Sequence, residues 1–99
     1  MKLGFIGTGN MATAMMGGII ENHIAAAEDI IGADLFEPGR ERVREKYGIR
    51  VTADNNEVVK NAEIIILSVK PQFYPDVIAG IREDVTKEHL IITIAPGKT

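Results

Sequence analysis

The segment GTGNMA, Gly7–Ala12, has the residue types and the spacing that let a protein main chain bind a diphosphate. It follows an apolar, strand-like run and opens a helical pattern, which is the context that a G-x-G-x-x-A motif requires. Gly7 permits a tight turn, Gly9 lets the main chain approach a phosphate without an intervening Cβ, and Ala12 permits close packing of helix on sheet. The amides at the start of the helix would then face the phosphates. The alternative is a turn whose small residues serve packing alone.

An acid and two arginines follow the motif and bear on which dinucleotide would bind. Asp34 comes about 20 residues later, at the end of the second predicted strand, where an acid binds the ribose 2′-hydroxyl of NAD. Arg40 and Arg42 begin the next helix, where an arginine can accommodate the 2′-phosphate of NADP. The two signals conflict, because Asp34 in the ribose site would repel that phosphate. If Leu35–Gly39 forms the adenosine loop instead, Arg40 can bind the phosphate. A solvated helix face remains a third interpretation of the arginines.

A polar segment after the fourth predicted strand is the other candidate wall of a binding site. Ligands of open α/β sheets bind outside the carboxyl ends of the strands, so Ser68, Val69, Lys70 and Pro71 would line a cleft there. Pro71 ends the strand because it has no N–H for the sheet, and it biases Lys70 toward an extended conformation. A strand-ending Lys-Pro without a ligand role is the alternative. Residues Ile94–Gly97 occupy the same edge after strand five.

Alternating apolar runs and helical patterns predict five strands and four helices. The predicted strands are 2–6, 29–35, 49–52, 63–69 and 89–95, and the predicted helices are 10–23, 38–48, 54–62 and 74–84. Asn10 is the predicted N-cap of the first helix, and Asp54 or Asn55 that of the third. Strands one, four and five are continuous apolar runs, which is typical of buried parallel strands. The pattern predicts a single α/β domain over 1–99, with a doubly wound, mostly parallel, Rossmann-like sheet.

The overall composition excludes several classes of function. The chain has 99 residues, a formal net charge of −3 and no cysteine. Scattered basic residues give no surface for nucleic acid or an anionic membrane, and the missing thiols exclude disulfides and thiolate metal sites. No metal-ligand cluster or nucleophilic triad emerges, so catalytic residues stay unassigned and no metal is expected. Without a signal-peptide pattern, a cytoplasmic location is expected.

Three stretches together resemble pyrroline-5-carboxylate reductase, namely GFIGTGNMATAMMGGII, EKYGIRVTADNNEVVKNAEIIILSVKPQ and TIAPGK. The resemblance implies reduction of 1-pyrroline-5-carboxylate to L-proline, with NADP(H) commonly preferred and NAD(H) often accepted. It implies a pyrophosphate site at Ile6, Gly7, Thr8, Gly9, Asn10 and Met11. It further implies that Asn55 and Ser68–Pro71 line the adenosine and nicotinamide sides, and that Ala95, Pro96 and Gly97 approach the nicotinamide.

Departures from that family limit what the resemblance implies. Pro96 stands where the family usually has alanine, which removes one N–H donor, and the loop after strand two is slightly long. The family also has a helical C-terminal domain that forms a homo-oligomer and completes the imine site. We therefore expect this chain to be the cofactor-binding part, with little activity alone. A β-hydroxyacid or 6-phosphogluconate-type dehydrogenase and a non-enzymatic dinucleotide-sensing module remain the alternatives.

Overall fold

The computed structural model describes residues 2–94 and shows alternating strands and helices. The strands are β1 (Leu3–Ile6), β2 (Ile30–Ala33), β3 (Arg50–Thr52), β4 (Ile64–Leu67) and β5 (Leu90–Thr93). The helices are α1 (Asn10–Glu21), α2 (Glu37–Tyr47), α3 (Asn55–Asn61) and α4 (Tyr74–Ile81). Short 3-10 turns cover Ala27–Asp29 and Pro71–Phe73. The predicted site residue Ala95, with Pro96 and Gly97, lies outside the described residues.

The five strands form one parallel sheet in the order β3-β2-β1-β4-β5. In its register, Ile6 at the end of β1 lies beside Ala33 of β2 and Leu67 of β4. The chain therefore leaves three neighbouring strands at the same level of the same edge. The predicted α/β fold class is confirmed, and the segments expected to bind a ligand do meet at the carboxyl edge of the sheet.

The helices cover both faces of the sheet because successive side chains of a strand point to opposite faces. On one face, Phe5 packs in a buried cluster with Met16 of α1 and Val43 of α2. On the other, Ile6 packs with Val58 of α3 and Ile81 of α4. The protein thus has two hydrophobic cores separated by the sheet, which is the doubly wound arrangement.

Two of the predictions about these elements were wrong. The N-cap of α1 is Gly9 rather than Asn10, which already lies within the helix. Strand β5 was expected to be buried, yet Leu90, Ile91 and Ile92 are 56%, 37% and 40% exposed. An apolar run predicts a strand, but it does not show whether another part of this chain covers that strand. No helix within residues 2–94 is long and apolar enough to cross a membrane.

Candidate functional site: a cleft at the carboxyl edge of the sheet

A large cleft and a smaller hollow lie beside the turn between β1 and α1. The cleft has a volume of about 620 Å³ and is lined by Ile6, Gly7, Gly9, Ala33, Asp34, Leu35, Asn55, Ser68, Val69, Lys70, Phe73, Asp76 and Val77. The hollow has a volume of about 250 Å³ and is lined by Gly9, Asn10, Met11, Ser68, Val69, Lys70 and Ile94. Gly9 and the segment Ser68–Lys70 line both. The two spaces therefore adjoin at the glycine turn. This arrangement suits a ligand with two halves, one in each space, whose connecting group lies at the turn.

Gly7 makes the turn out of β1 in a conformation that other residues rarely adopt. Its φ is +103°, and its amide donates to the carbonyl of Ala33 at 2.7 Å. A Cβ at this position would lie 2.9 Å from the main-chain oxygen of Ser68. Ser68 holds the turn from the same side, since its Oγ donates to the carbonyl oxygen of Gly7 at 2.8 Å. Glycine is therefore required here by both backbone conformation and space.

The start of α1 presents main-chain amides toward the adjoining spaces. The first bond of the helix runs from the amide of Thr13 to the carbonyl of Gly9 at 2.9 Å. Helix geometry leaves the amides that precede Thr13 without an intrahelical acceptor, and they carry the positive end of the helix dipole. Apart from Gly9 and its two neighbours in the chain, no residue within 2–94 has a heavy atom within 4 Å of the point that a Cβ of Gly9 would occupy. The turn thus combines free donors, positive potential and open space, which are the requirements of an anion site.

Thr8 points away from the cleft, although it lies between the two glycines. Its side chain is completely buried. Its amide and its hydroxyl each donate to Oδ2 of Asp34 at 2.9 Å. Its carbonyl accepts from Nη2 of Arg42 at 3.0 Å. Thr8 is therefore bound to the protein through all of its polar groups, and any contact with a ligand comes from its neighbours.

Asp34 directly follows β2 and Arg40 lies in the first turn of α2, and of these two residues only Asp34 lines the cleft. Asp34 accepts from the amide of Phe36 through Oδ1 at 3.0 Å, in addition to its bonds with Thr8. Nη1 of Arg40 donates to the carbonyl of Asp34 at 2.8 Å. Its Nη2 lies 3.9 Å from Oε2 of Glu37, and the arginine side chain is 18% exposed. Arg40 therefore lies beneath the loop that forms the rim, with one nitrogen only loosely paired.

Asn55 reaches the cleft because the preceding residue caps the helix. Oδ1 of Asp54 accepts from the amide of Asn56 at 2.9 Å, so Asp54 is the N-cap of α3. The alternative that Asn55 serves as the cap was therefore wrong. The side chain of Asn55 is left as one wall of the cleft.

Replacing Asp54 with alanine is expected to lower the free energy of unfolding by about 1 kcal/mol, the usual effect of losing an N-cap. Asp54→Asn keeps an acceptor oxygen and should remain within about 0.5 kcal/mol of wild type. Urea denaturation followed by circular dichroism measures both values. Equal stability of the alanine and asparagine variants would show that the cap has no energetic role.

The segment after β4 lies partly where the sequence predicted. Ser68, Val69 and Lys70 line the cleft, and Lys70 is extended, with φ −63° and ψ 142°, as the following proline predicts. Pro71 is not among the residues that line either space, and it begins the 3-10 turn instead. Pro71 therefore shapes the site by setting the direction of the chain.

Several apolar residues also line the site, and sequence reasoning missed Phe73 and Val77 among them. Leu35 and Phe73 lie on the cleft although they are 87% and 50% exposed, and Val77 of α4 lies near them. Ile94 lines the smaller hollow, and its carbonyl accepts from the hydroxyl of Tyr74. Ile94 was already placed at this edge by the rule that identified Ser68–Pro71, and Leu35 belongs to the segment Leu35–Gly39 that was one candidate for the adenosine loop.

Several known proteins are similar to this chain. It is 42% identical over 96 residues to pyrroline-5-carboxylate reductase of Methanosarcina acetivorans, covering 97% of this chain and 36% of that protein. It is 41% identical over 99 residues to pyrroline-5-carboxylate reductase 3 of Danio rerio, covering 100% of this chain and 34% of that protein. The chain thus spans about a third of the length of these curated relatives, and the matches confirm the resemblance that the motifs indicated.

Solved structures of the same kind of enzyme share the fold. A pyrroline-5-carboxylate reductase from Coxiella burnetii superposes with a TM-score of 0.88 at 28% identity, covering 95% of this chain and 35% of that one. The Plasmodium falciparum pyrroline carboxylate reductase, solved with NADP bound, gives a TM-score of 0.79 at 26% identity, with coverage of 95% and 33%. The model of one protein family, described as NADP oxidoreductase coenzyme F420-dependent, matches residues 2–97. Because that match takes in nearly the whole sequence, the chain belongs to the family that this model describes.

Proposed function

We propose that the chain binds NADP(H), with NAD(H) as the alternative nucleotide, across the glycine turn. The single observation that carries this proposal is the start of α1, where free amides face open space between two adjoining cavities. The first turn of α1, Asn10–Thr13, is uncharged, so no carboxylate competes with a bound anion there. The solved relative from Plasmodium falciparum with NADP bound supports the choice of nucleotide.

The two halves of the nucleotide would occupy the two cavities. The pyrophosphate would lie on the amides of Gly9, Asn10 and Met11, beside the turn made by Ile6, Gly7 and Thr8. The larger cleft reaches Asp34 at the end of β2, the end of the site that holds the adenosine in this type of fold. The smaller hollow reaches Ile94 at the end of β5, on the opposite side of the turn. We propose that it receives the nicotinamide; the contact of Ala95 with the nicotinamide stays a prediction from the resemblance.

Apolar residues on the cleft suit the adenosine half. Leu35 projects from the rim, and Phe73 and Val77 approach from the segment that follows β4. A flat aromatic base packed against them would remove apolar surface from water on both partners, at about 25 cal/mol for each Å². Asn55, Val69 and Lys70 would complete that wall, with donors for the ribose or for phosphate oxygens.

The whole protein is proposed to reduce 1-pyrroline-5-carboxylate to L-proline. The bound nucleotide supplies a hydride to the imine carbon, and the residues of this chain hold the nicotinamide in position, which is an orientation effect. The curated relatives of that name support this proposal. We assign no catalytic residue within residues 2–94. A homo-oligomer, a cytoplasmic location, and the absence of nucleic-acid and membrane partners stay predictions.

The product of the complete gene tests the proposed reaction. Purified protein should oxidise NADPH when 1-pyrroline-5-carboxylate is added and should form proline in equal amount. The same assay with a β-hydroxyacid or with 6-phosphogluconate and the oxidised nucleotide serves as the control for the alternative dehydrogenase reading. A protein that binds NADPH but turns over none of these substrates would contradict the enzyme assignment and leave the dinucleotide-sensing module.

Arg40→Gln is expected to weaken NADPH binding about tenfold and NADH binding less than about threefold. The reason is that Nη2 of Arg40, paired only at 3.9 Å with Glu37, can turn toward a 2′-phosphate on the rim. Glutamine can still donate one bond to the carbonyl of Asp34 and so keep the loop. Isothermal titration calorimetry measures both dissociation constants. Equal loss for the two nucleotides would exclude a phosphate-binding role for Arg40.

A further inference from the structure

A hydrogen-bonded cluster beside the glycine turn joins three distant parts of the chain through Thr8. Asp34 and Arg42 approach Thr8 from the end of β2 and from α2, and they bind its amide, hydroxyl and carbonyl at 2.9 to 3.0 Å. The Thr8 side chain is fully buried, and the first turn of α2 packs closely on it. A Cβ on Gly39 would lie 3.1 Å from Oγ1 of Thr8, tighter than ordinary contact. These contacts hold Thr8 in place beside the cleft, which Asp34 itself lines.

The carboxylate of Asp34 is largely committed to this cluster. Oδ2 accepts two hydrogen bonds from Thr8, and Oδ1 accepts one from the amide of Phe36. A carboxylate offers about four lone-pair sites, so about three are taken. A ribose that needs both oxygens of an acid would have to break contacts that stabilise the turn. The geometry therefore favours a structural role for Asp34, in stabilising the turn, over a role in selecting the nucleotide.

We propose that Asp34 and Arg42 are positioning residues that fix the phosphate-binding amides of Gly9–Met11 through Thr8. This inference rests on the proposed function, because it concerns the same nucleotide site. Asp34 binds the amide and hydroxyl of Thr8, so neither donor is free for a ligand, and Arg42 fixes its carbonyl. The amide that follows, at Gly9, is thereby held facing the site. Asp34 then supports NADPH and NADH equally and does not distinguish between them.

Calorimetric titrations of the chain with NADPH and with NADH test the inference. Thr8→Val removes only the hydroxyl, and Asp34→Ala removes the whole acceptor. Each variant is expected to weaken the binding of NADPH and of NADH equally. The loss of affinity should be about threefold for Thr8→Val and about tenfold or more for Asp34→Ala. Thr8→Ser, which keeps the hydroxyl, should restore wild-type affinity.

Asp34→Asn separates positioning from charge. The amide keeps an oxygen for Thr8 but removes the negative charge, so both nucleotides should bind within about threefold of wild type. If Asp34 acts on the ribose instead, Asp34→Asn and Asp34→Ala would strengthen NADPH and weaken NADH. That change in the ratio of the two dissociation constants would overturn the inference.

Binding of adenosine 2′-monophosphate serves as a control, because a general loss of stability would weaken it as well. It has no diphosphate, so its dissociation constant, measured by NMR titration, should be unchanged in Thr8→Val, which leaves Asp34 in the cleft. Parallel loss of this probe in Thr8→Val would show that the variant merely disturbs the fold, and would overturn the positioning role.

Hydrogen exchange tests the cluster without any nucleotide and so separates the two proposals. The amide of Thr8 should exchange slowly in the free wild-type chain and much faster in Asp34→Ala. If wild type binds neither nucleotide, the proposed function fails while this exchange difference still reports on the cluster. If wild type binds both but the Thr8 amide exchanges alike in the two chains, the positioning inference fails alone.

Discussion

Gly7→Ala is expected to destabilise the protein by about 3 kcal/mol and to abolish nucleotide binding. A φ of +103° is strained for any residue with a Cβ, and that Cβ would lie 2.9 Å from the carbonyl oxygen of Ser68. Strained backbone and overpacking each cost about 1–3 kcal/mol. The melting temperature should therefore fall by more than about 10 °C for a chain of this size. Differential scanning calorimetry and titration with NADPH measure the two effects.

The second glycine of the motif should behave differently, which makes it the informative comparison. A Cβ on Gly9 meets no atom within 4 Å among residues 2–94 and would project into the space assigned to the phosphates. Gly9→Ala should therefore cost less than about 1 kcal/mol of stability, as a change at an N-cap. It should nevertheless weaken NADPH binding about tenfold or more, because the new Cβ would contact the ligand.

Gly18→Ala is the matched control in the same helix. Gly18 lies inside α1, and its Cβ also meets no atom within 4 Å among the described residues. Alanine there should raise the free energy of unfolding by up to about 1 kcal/mol and leave nucleotide affinity unchanged. If Gly9→Ala behaves like Gly18→Ala in the binding assay, the phosphates do not lie at this turn.

Gly4→Ala is expected to lower the free energy of unfolding by about 2 kcal/mol. Gly4 lies in the middle of β1, and a Cβ there would lie 2.4 Å from Cγ1 of Val58 and 2.9 Å from Cβ of Ala62. Both neighbours belong to the buried contact between β1 and α3. Overpacking of this kind costs about 1–3 kcal/mol. Because Asn55 begins α3, displacement of the helix should also weaken nucleotide binding, which urea denaturation and calorimetry would show together.

A double-mutant cycle tests whether the clash with Val58 causes the loss of stability in Gly4→Ala. Val58→Ala alone should destabilise the protein by about 2 kcal/mol, because it leaves a cavity. With Gly4→Ala it removes the nearer of the two clashes, so the double variant should be less destabilised than the sum of the single effects, by about 1 kcal/mol or more. Strict additivity would mean that Gly4 and Val58 do not interact, contrary to the packing of β1 against α3.

The fold and the glycine turn could be predicted because each depends on local sequence. Continuous apolar runs such as Ile64–Leu67 indicate buried parallel strands, and Gly48 ends α2 with a φ of 73°, as a glycine after a helix commonly does. The role of Gly7 follows from its position between a strand and a helix. The carboxyl-edge rule then placed Ser68–Lys70 at the cleft without any structure.

The remaining features depend on contacts between distant residues. The pattern showed Asp34 near a ribose site, but its bonds with Thr8 join positions 26 residues apart and depend on the register of β1 with β2. The exposure of β5 depends on what lies beside the strand, which its own residues do not reveal. Phe73 was overlooked because an exposed phenylalanine just after Ser68–Pro71 has no distinctive pattern of its own.

The most direct test of the central claim is an NMR titration of the ¹⁵N-labelled chain with NADPH. We expect the largest changes in amide chemical shift at Gly9, Asn10 and Met11, because these amides would donate to the pyrophosphate. Smaller changes are expected at Asn55, Val69 and Lys70 along the cleft. Saturable binding that leaves the amides of Gly9–Met11 unmoved, or no binding at all, would contradict a phosphate site at the start of α1.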